Sequence, residues 1–217
     1  MNFFAESRAF YRQFRTQYFT TGSVLPSSRF LGQALARHVC ATPAPRKILE
    51  IGPGTGAVTR VLVESLNPGD ELDIVEINGD FVEVLERRFA NEAKFTQVKD
   101  QCRIMHRPLQ EVPGEAVYDF LISGLPLNNF PLTLVEDIFA SYRRLLKPGG
   151  VLSYFEYAGI RGVKSKIAGA EERKRLADLH AFLSVELRDH QFAANLVMMN
   201  LPPAMARHLR FAEAPID

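Results

Sequence analysis

The chain has 217 residues, of which 47% are apolar and 24% charged, and its formal net charge is +1 at pH 7. This length and composition predict one ordinary globular domain. The two cysteines, Cys40 and Cys102, are too few for a disulfide framework and lack the spacing of a zinc site. The sequence shows neither a signal peptide nor an apolar run that could span a membrane, so we expect a cytoplasmic protein. The near-zero charge gives no indication of a nucleic-acid partner.

Apolar runs alternate with segments of helical spacing along most of the chain. Strands are predicted at 46–51, 71–77, 102–107, 117–123 and 150–157. Helices are predicted at 2–19, 27–40, 57–66, 80–90, 132–146 and about 170–183. Strands that alternate with helices are joined by right-handed crossovers, so this order predicts a parallel sheet with helices on both faces.

The end of the chain departs from this alternation. Residues 184–191 and 193–200 are predicted as two adjacent strands, whose short connection allows only an antiparallel hairpin. The breaker at 147–150, Lys-Pro-Gly-Gly, is expected to close the helix before it. This layout resembles the sheet of class I methyltransferases. We therefore predict an α/β, Rossmann-like fold: a seven-stranded, mostly parallel sheet with a C-terminal antiparallel hairpin, preceded by N-terminal helices.

The most specific motif is Glu50-Ile51-Gly52-Pro53-Gly54-Thr55-Gly56, which follows the first predicted strand. Alternate glycines let the backbone turn sharply and approach a ligand, and the next helix points its N-terminus at the same place. A dinucleotide site would have the spacing GxGxxG, whereas this motif is GxGxG with a carboxylate two residues before it. A carboxylate favours a cationic ligand over a diphosphate. S-adenosylmethionine, with its sulfonium and ammonium groups, meets that requirement.

A second carboxylate, Glu76, closes the second predicted strand, where it can accept both hydroxyls of a ribose. Methyltransferases often carry an acid after the third strand to bind the adenine amine. Here that segment is His106-Arg107-Pro108-Leu109, so either backbone groups near Leu109 meet the adenine or the strand ends elsewhere. The predicted cofactor-binding residues are Glu50, Gly52, Gly54, Gly56, Glu76, Ile77, Leu109 and Ser123.

The loop 123–131, Ser-Gly-Leu-Pro-Leu-Asn-Asn-Phe-Pro, follows the fourth predicted strand and should lie at the carboxyl edge of the sheet, where such folds bind their ligands. Methylases of planar or amide nitrogens commonly carry Asn/Asp-Pro-Pro-Tyr or Asn-Leu-Pro-Tyr here. This chain has Gly124-Leu125-Pro126-Leu127, without the side-chain acceptor or the stacking ring. The loop therefore argues against a flat nucleobase and suits a tetrahedral amine held by backbone carbonyls.

This loop, the segment TGSVLPSS at 21–28 and the segment Asn200-Leu201-Pro202-Pro203-Ala204 together resemble the bacterial phospholipid N-methyltransferases over nearly the whole chain. The resemblance implies S-adenosylmethionine-dependent, stepwise methylation of phosphatidylethanolamine toward phosphatidylcholine. Close relatives methylate other amino-lipids, such as ornithine lipids, and these motifs do not separate them. The resemblance also implies that TGSVLPSS lines the mouth of the site and that Leu-Pro-Pro-Ala follows the last strand into the same rim.

Residues 2–19 place aromatic side chains on one face of a helix, flanked by three arginines: Phe3, Phe4, Phe10, Tyr11, Phe14, Tyr18, Arg8, Arg12 and Arg15. This pattern is typical of a helix that lies in the membrane interface, although such a stripe can also pack on the domain or on a partner chain. The loop 159–166 adds Arg161, Lys164 and Lys166, which are either a contact for lipid phosphate or a solvated loop.

These patterns predict an N-terminal amphipathic helix and substrate-rim loop at 1–26 and a methyltransferase domain at 27–217. The expected partners are an anionic membrane surface, contacted by Arg8, Arg12, Arg15, Arg161 and Lys164, and an amino-phospholipid substrate. The protein is expected to be cytoplasmic and peripheral on the inner face of the cell membrane. The sequence does not indicate an oligomeric state.

The expected reaction is direct in-line transfer of the sulfonium methyl to a lipid amine, without a metal. The amine must first lose a proton, and Tyr18, Glu156, Tyr157 and His180 are equivalent candidates for the base. The predicted catalytic residues are Tyr18, Gly124, Leu125, Pro126 and Tyr157. Three other functions stay open: an rRNA adenine dimethyltransferase, a non-catalytic membrane-binding module, and a methylase of small soluble amines.

Overall fold

The computed structural model describes residues 28–158 and 169–211. In these two ranges the strands are β1 (Lys47–Ile51), β2 (Glu71–Glu76), β3 (Cys102–His106), β4 (Tyr118–Ser123), β5 (Leu146–Tyr157), β6 (Gln191–Val197) and β7 (Ala204–Leu209). The helices are α1 (Arg29–Cys40), α2 (Ala57–Ser65), α3 (Gly79–Asn91), α4 (Ala93–Thr96), α5 (Leu132–Leu145) and α6 (Ala170–His190). None of these described helices is both long and apolar enough to cross a membrane.

All seven strands form one sheet in the order β3-β2-β1-β4-β5-β7-β6. The first five are parallel, and β7 runs antiparallel to both β5 and β6. The α/β fold predicted from the sequence is therefore confirmed. After β1 and β2 the chain moves outward to β3 and then returns to place β4 on the other side of β1. Such a reversal opens a crevice at the carboxyl ends of the two central strands, where folds of this kind bind ligands.

The apolar core lies in two layers, one on each face of the sheet. Leu49 and Ile51 pack with side chains of α5 and α6, whereas Ile48 packs with side chains of α1 to α4. Because successive residues of a strand point to opposite faces, Glu50 shares the face of Ile48 and lies toward α2. A carboxylate is thereby built into the apolar layer next to the crevice.

The segment 147–150, predicted to close the preceding helix, is part of a strand instead. Helix α5 ends at Leu145, and Lys147-Pro148-Gly149-Gly150 already belongs to β5, which begins at Leu146. Leu146 pairs with Tyr118, and the register then shifts before Val151 pairs with Phe120. The extra residues form an irregularity in the strand, which accommodates a proline and two glycines without leaving the sheet.

The strand predicted at 184–191 is wrong, because α6 continues to His190. The alternation around Val185 suggested a strand, but Val185 is exposed, while Leu179 and Leu183 are buried on one helical face. Glu186 extends that face, and both its carboxylate oxygens accept hydrogen bonds from Arg143 of α5. The predicted hairpin exists further along the chain, between β6 and β7. Residues 201–204, expected after the last strand, therefore lie at the connection between these two strands.

Candidate active site at the carboxyl edge of the sheet

The loops that follow β1 and β4 touch each other at the crevice. The Gly52 N–H donates to the carbonyl of Val75, 3.0 Å away, and the Gly124 N–H donates to the carbonyl of Ile51, 2.8 Å away. A Cβ atom on Gly124 would lie only 2.5 Å from the carbonyl oxygen of Gly52, so no other residue fits there without a shift of backbone. The structure thus brings together the glycine motif and the loop 123–131, which the sequence also singles out and which we call the substrate loop.

Gly54 faces open space at the middle of the glycine motif. Its φ of +57° is a left-handed conformation that other residues rarely adopt, and a Cβ atom there would meet nothing within 4 Å. Its N–H group donates to Oε2 of Glu76 over 3.3 Å. The backbone is therefore bare on the crevice side, as close approach by a ligand requires.

Glu76 ends β2 beside this glycine and is only 6% exposed. Its carboxylate accepts hydrogen bonds from the backbone N–H of Asn78 at 2.8 Å and from that of Gly54. Burial raises the pKa of Glu76 above its usual range, and these backbone donors oppose the rise. An ionised carboxylate has about four lone-pair sites, so acceptor capacity remains for a pair of ribose hydroxyls.

Glu50 is buried at 1% exposure, and neither of its carboxylate oxygens has a hydrogen-bond partner among the residues that the structure describes. Burial raises the pKa of Glu50 to about 8, and the neighbouring Thr59 hydroxyl offsets the rise only in part. A buried, unpaired carboxylate is costly unless it is protonated or joined by a cation. The glycine loop that begins two residues later is thus suited to a cationic cofactor, and S-adenosylmethionine fits these residues.

Arg88 of α3 holds the end of the glycine motif in place through hydrogen bonds to its backbone. No feature of the sequence indicates this role. Its Nη1 atom donates to the carbonyls of Thr55 and Gly56, both at 2.8 Å, and its Nε atom donates to Glu92 at 2.7 Å. The guanidinium also lies over the ring of Phe95, 4.3 Å from the centroid. The end of the loop is held by a side chain that is 32 residues away in sequence.

Three further residues predicted to bind the cofactor have structural contacts of their own. The Ile77 carbonyl lies 3.2 Å from Nε2 of His106. The Leu109 side chain is buried in the core, in a short 3-10 turn after β3. Ser123 is fully buried, and its hydroxyl oxygen accepts a hydrogen bond from the Tyr142 hydroxyl at 2.7 Å. Their contacts with a cofactor stay predictions.

Within the substrate loop, the motif Gly124-Leu125-Pro126-Leu127 has a leucine at its fourth position and no aromatic ring. The Leu125 side chain covers Gly52, since a Cβ atom there would lie 2.6 Å from Leu125 Cδ2. Pro126 precedes a 3-10 turn at Leu127–Asn129, and Leu127 is 1% exposed and packs in the core. A flat base would therefore find no ring on which to stack at this position.

Arg175 of α6, another residue without a sequence signal, holds the far end of this loop. Its Nη1 atom donates to the Phe130 carbonyl at 2.6 Å, and its Nη2 atom donates to the Asn128 carbonyl at 3.3 Å. Glu172 pairs with the same guanidinium from one turn earlier in the helix. The substrate loop is thus anchored to α6 as well as to the sheet.

The candidate bases lie in different surroundings. Tyr157 is half-buried at the end of β5, with its ring 5.1 Å from that of Phe155. Glu156 is buried on the opposite face, where it accepts a hydrogen bond from Tyr154 at 3.2 Å and lies 3.5 Å from Arg207. His180 is half-buried within α6.

The remaining predicted contacts lie outside the described residues: Tyr18, Arg8, Arg12, Arg15, Arg161 and Lys164.

Two other motifs meet at the same edge. The last residue of TGSVLPSS, Ser28, donates its N–H to Oδ1 of Asn200 at 2.9 Å, and Asn200 donates in turn to the Pro202 carbonyl at 2.8 Å. The turn that contains Asn200 adjoins the carboxyl end of β5, because Tyr157 pairs with Ala204. Residues 200–204 therefore lie at the carboxyl edge of the sheet, where the sequence predicts the rim of the site. They connect β6 to β7, however, and do not follow the last strand.

A family model described as a methyltransferase domain matches residues 48–150. An ornithine lipid N-methyltransferase of Singulisphaera acidiphila is 34% identical over 131 residues, which cover 60% of this chain and 67% of that protein. A ribosomal RNA small subunit methyltransferase A of Pseudomonas syringae is 43% identical over 61 residues, which cover 28% of this chain and 21% of that protein.

Among solved structures, the fold is similar to a 1,6-didemethyltoxoflavin-N1-methyltransferase of Burkholderia thailandensis, solved with S-adenosylhomocysteine bound. The TM-score is 0.58 at 14% identity, with 96% of this chain and 88% of that chain covered. This structural similarity supports the fold, and the sequence similarity to the ornithine lipid N-methyltransferase supports the family assignment. The glycine motif, the two buried carboxylates and these similarities agree, and the chain belongs to the class I S-adenosylmethionine-dependent N-methyltransferases.

Proposed function

We propose that this enzyme methylates the amine of an amino-lipid headgroup. The observation that carries the proposal is the similarity to the ornithine lipid N-methyltransferase, at 34% identity over 131 residues. The motifs at 21–28, 123–131 and 200–204 point to lipid methylation as well, with phosphatidylethanolamine as the expected acceptor. Because the curated relative acts on an ornithine lipid, that lipid is the first substrate to test and phosphatidylethanolamine the second.

The shape of the substrate loop supports an aliphatic amine over a nucleobase. Gly124 leaves the backbone bare next to Gly52, and Leu127 turns into the core instead of offering a surface for stacking. The Asn128 and Phe130 carbonyls are held in place by Arg175. The loop is therefore fixed at its far end, while its bare backbone at Gly124 stays next to Gly52.

When bound, S-adenosylmethionine supplies an electrophilic methyl group on a sulfonium. The chain itself has to position two reactants and exclude water. Glu76 can accept the ribose hydroxyls, the bare backbone at Gly54 allows close approach, and the Glu50 carboxylate compensates positive charge.

The acceptor amine resembles a lysine side chain, with a pKa near ~10, so it must be deprotonated before attack. Among the described candidates, Tyr157 lies at the carboxyl end of β5 and on the face of the sheet that Glu50 shares. Glu156 already contacts Tyr154 and Arg207 on the other face. We therefore assign to Tyr157 the stabilisation of the methylated cation by its ring, or acceptance of the proton in its tyrosinate form.

The membrane part of the proposal depends on segments outside the described residues. The arginine-flanked aromatic helix predicted in residues 1–26 and the basic segment at 159–166 would attach a methyltransferase domain at 27–217 to an anionic inner membrane face. This attachment would place a lipid amine next to the substrate loop without extraction of the lipid from the bilayer.

The test is incubation of the full chain with methyl-labelled S-adenosylmethionine and separate vesicles that contain ornithine lipid or phosphatidylethanolamine. Soluble ethanolamine and small-subunit rRNA serve as competing acceptors, and the Glu76→Ala variant serves as the inactive control. We expect label in a lipid and little in the other acceptors. Label in soluble ethanolamine or in rRNA, with none in either lipid, would overturn the proposal.

A further inference from the structure

The turn between β6 and β7 exposes large apolar side chains. Met198, Met199 and Leu201 are 66%, 70% and 69% exposed, and Leu196 and Phe30 beside them are 54% and 43% exposed. We call these five residues the apolar tip. Contiguous apolar surface of this kind marks a contact with another apolar body, since it is unfavourable in water.

The apolar tip is held in its exposed arrangement. Between Met199 and Leu201, the Asn200 side chain turns inward, where it is 4% exposed. It accepts a hydrogen bond from the Ser28 N–H and donates one to the Pro202 carbonyl. These bonds fix the turn at Asn200, and Met199 and Leu201 lie exposed on either side of it. The surface continues into a groove of about 400 Å³ between α1 and β6.

The elements that carry the apolar tip are strongly biased in charge. Residues 28–40 and 191–211 contain four arginines and neither aspartate nor glutamate, although the whole chain has 26 basic and 25 acidic residues. Arg29 and Arg37 are exposed, and Arg37 lines the groove beside the apolar tip. The Arg29 guanidinium lies 5.6 Å from the centre of the Phe30 ring. An apolar surface bordered by cations complements a bilayer that carries anionic headgroups.

The apolar tip also lies on the edge of the sheet that holds the site. Ala204 pairs with Tyr157 at the end of β5, and the Ala158 N–H donates to the Pro203 carbonyl at 2.7 Å. Strand β5 runs parallel to β4, which ends at the substrate loop. A bilayer seated on the tip would thus lie beside that loop.

We propose that the apolar tip docks on an anionic bilayer, with Met198, Met199 and Leu201 inserted among the lipids and the neighbouring arginines at the headgroups. The docking gives the site its access to lipid, and in this respect it rests on the proposed function. It adds a membrane contact within the folded domain, separate from the aromatic segment at 2–19.

The test compares flotation of the full chain and of a triple variant with vesicles of phosphatidylglycerol and phosphatidylcholine. The variant carries Met198→Ser, Met199→Ser and Leu201→Ser. We expect its partition to fall by about tenfold or more, with an unchanged unfolding temperature because the three side chains are exposed. Val185→Ser, on the exposed face of α6, is the matched control and should bind like the wild type. Equal flotation of the triple variant and the wild type would overturn the proposal.

A polarity-sensitive dye on Met199→Cys tests for other occupants. The label needs a Cys40→Ser background because Cys40 is exposed, whereas burial raises the pKa of Cys102 to about 12 and so disfavours its reactive thiolate. Blue-shifted emission that appears only with vesicles supports docking. Emission that is already blue-shifted in buffer and unchanged by vesicles would overturn the docking proposal. The occupant of the apolar tip would then be residues 1–27 if the protein is monomeric, and a second copy of the chain if it is dimeric.

Activity on amino-lipid dispersed in detergent micelles separates this proposal from the proposed function. The double variant Met198→Ser and Met199→Ser should retain wild-type turnover there, because neither residue belongs to the loop 123–131 or to the motif at 200–204. If the protein floats through the tip but methylates no lipid, docking stands and the lipid substrate is wrong. If lipid is methylated while the triple variant floats normally, only the docking is wrong.

Discussion

The charge state of Glu50 is the residue-scale feature that most constrains the cofactor site. Its carboxylate is buried without a hydrogen-bond partner among the described residues, and its pKa is raised to about 8. At pH 7 such a group is mostly protonated in the free protein. A cationic ligand nearby would favour the ionised form and lower that pKa.

Cofactor binding should therefore release a proton near pH 7. We expect titration calorimetry with S-adenosylmethionine to give binding enthalpies that differ between phosphate and Tris buffers, by an amount proportional to the protons released. The Glu50→Gln variant cannot release this proton, so its enthalpies should agree between buffers and its affinity should be lower. Buffer-independent enthalpies for the wild type would contradict the assignment.

Close contact of the two loops makes Gly124 sensitive to a single methyl group. In Gly124→Ala the new Cβ would lie 2.5 Å from the Gly52 carbonyl oxygen, so one of the two loops has to move. We expect a loss of roughly 1–3 kcal/mol in unfolding free energy and at least about a tenfold loss of turnover. Gly169→Ala is the control, because a Cβ atom there meets nothing within 4 Å. Urea unfolding and a methyl-transfer assay measure both effects, and equal values for the two variants would exclude the clash.

At the scale of secondary-structure elements, helix α6 positions the substrate loop through Arg175. In Arg175→Leu the Phe130 and Asn128 carbonyls lose their donor, so the loop should become less well placed while the cofactor site stays intact. We expect kcat to fall about tenfold or more with little change in cofactor affinity, and Arg175→Lys to recover part of it. Arg173→Leu, an exposed change on the same helix, should leave kcat unaltered. A fall in cofactor affinity equal to that in kcat would contradict a role limited to the loop.

Helix α1 should detach from the sheet more easily in acid. His208 is fully buried on β7, its ring lies 4.5 Å from that of His38 on α1, and its Nδ1 atom lies 2.8 Å from the Ser153 hydroxyl. Burial lowers the pKa of His208 to about 4, and the charges of His38 and Arg37 add to the effect. Burial likewise lowers the pKa of His38.

The unfolded chain therefore binds these protons first, and stability that is complete above pH 6.5 is lost as the pH falls toward 4. We expect a loss on the order of 2–3 kcal/mol from His208. Glu50 titrates with the opposite sign, since its raised pKa favours the folded state at low pH. The informative quantity is thus the difference in unfolding free energy between the wild type and His208→Gln. A difference that stays constant between pH 4 and 6.5 would refute the effect.

Elements bounded by strong local signals were predicted well from the sequence. Strands β1 and β2 lie within one residue of their predicted ends, because buried apolar runs and a following turn or glycine mark both limits. The end of α6 was missed, since Val185 and Leu187 alternate with polar residues as in a strand. The helix is decided there by the tertiary pairing of Glu186 with Arg143. Sequence separation explains why Arg88 and Arg175 were not found, as both act on carbonyls more than thirty residues away.

At the scale of the whole molecule, the near-neutral total conceals an uneven distribution of charge. Acidic residues are absent from α1 and from the β6–β7 hairpin, and the N-terminal segment 1–20 holds three arginines against one glutamate. The basic side chains of these segments are thus not offset by acidic residues within the same segments. Net charge alone could not reveal this, because the acidic residues lie elsewhere in the sequence.

Removal of residues 1–19 tests whether the aromatic segment binds membranes. We expect the truncated protein to float poorly with anionic vesicles while its circular dichroism and unfolding temperature remain those of a folded sheet. The core of the described domain lies entirely within residues 31–209, so the deletion should not unfold it. Undiminished flotation would assign membrane binding to other surfaces, and loss of folding would show that the segment belongs to the core.

The hydrogen bond from Ser28 to Asn200 has a consequence for how tightly the protein would hold a bilayer. It ties the point where the N-terminal segment enters the domain to the base of the apolar tip. Two weak membrane contacts in one chain act as a bivalent ligand, because the first to engage raises the effective concentration of the second. Each contact alone would then support only brief visits to the membrane, and together they would allow residence long enough for successive methylations of one lipid.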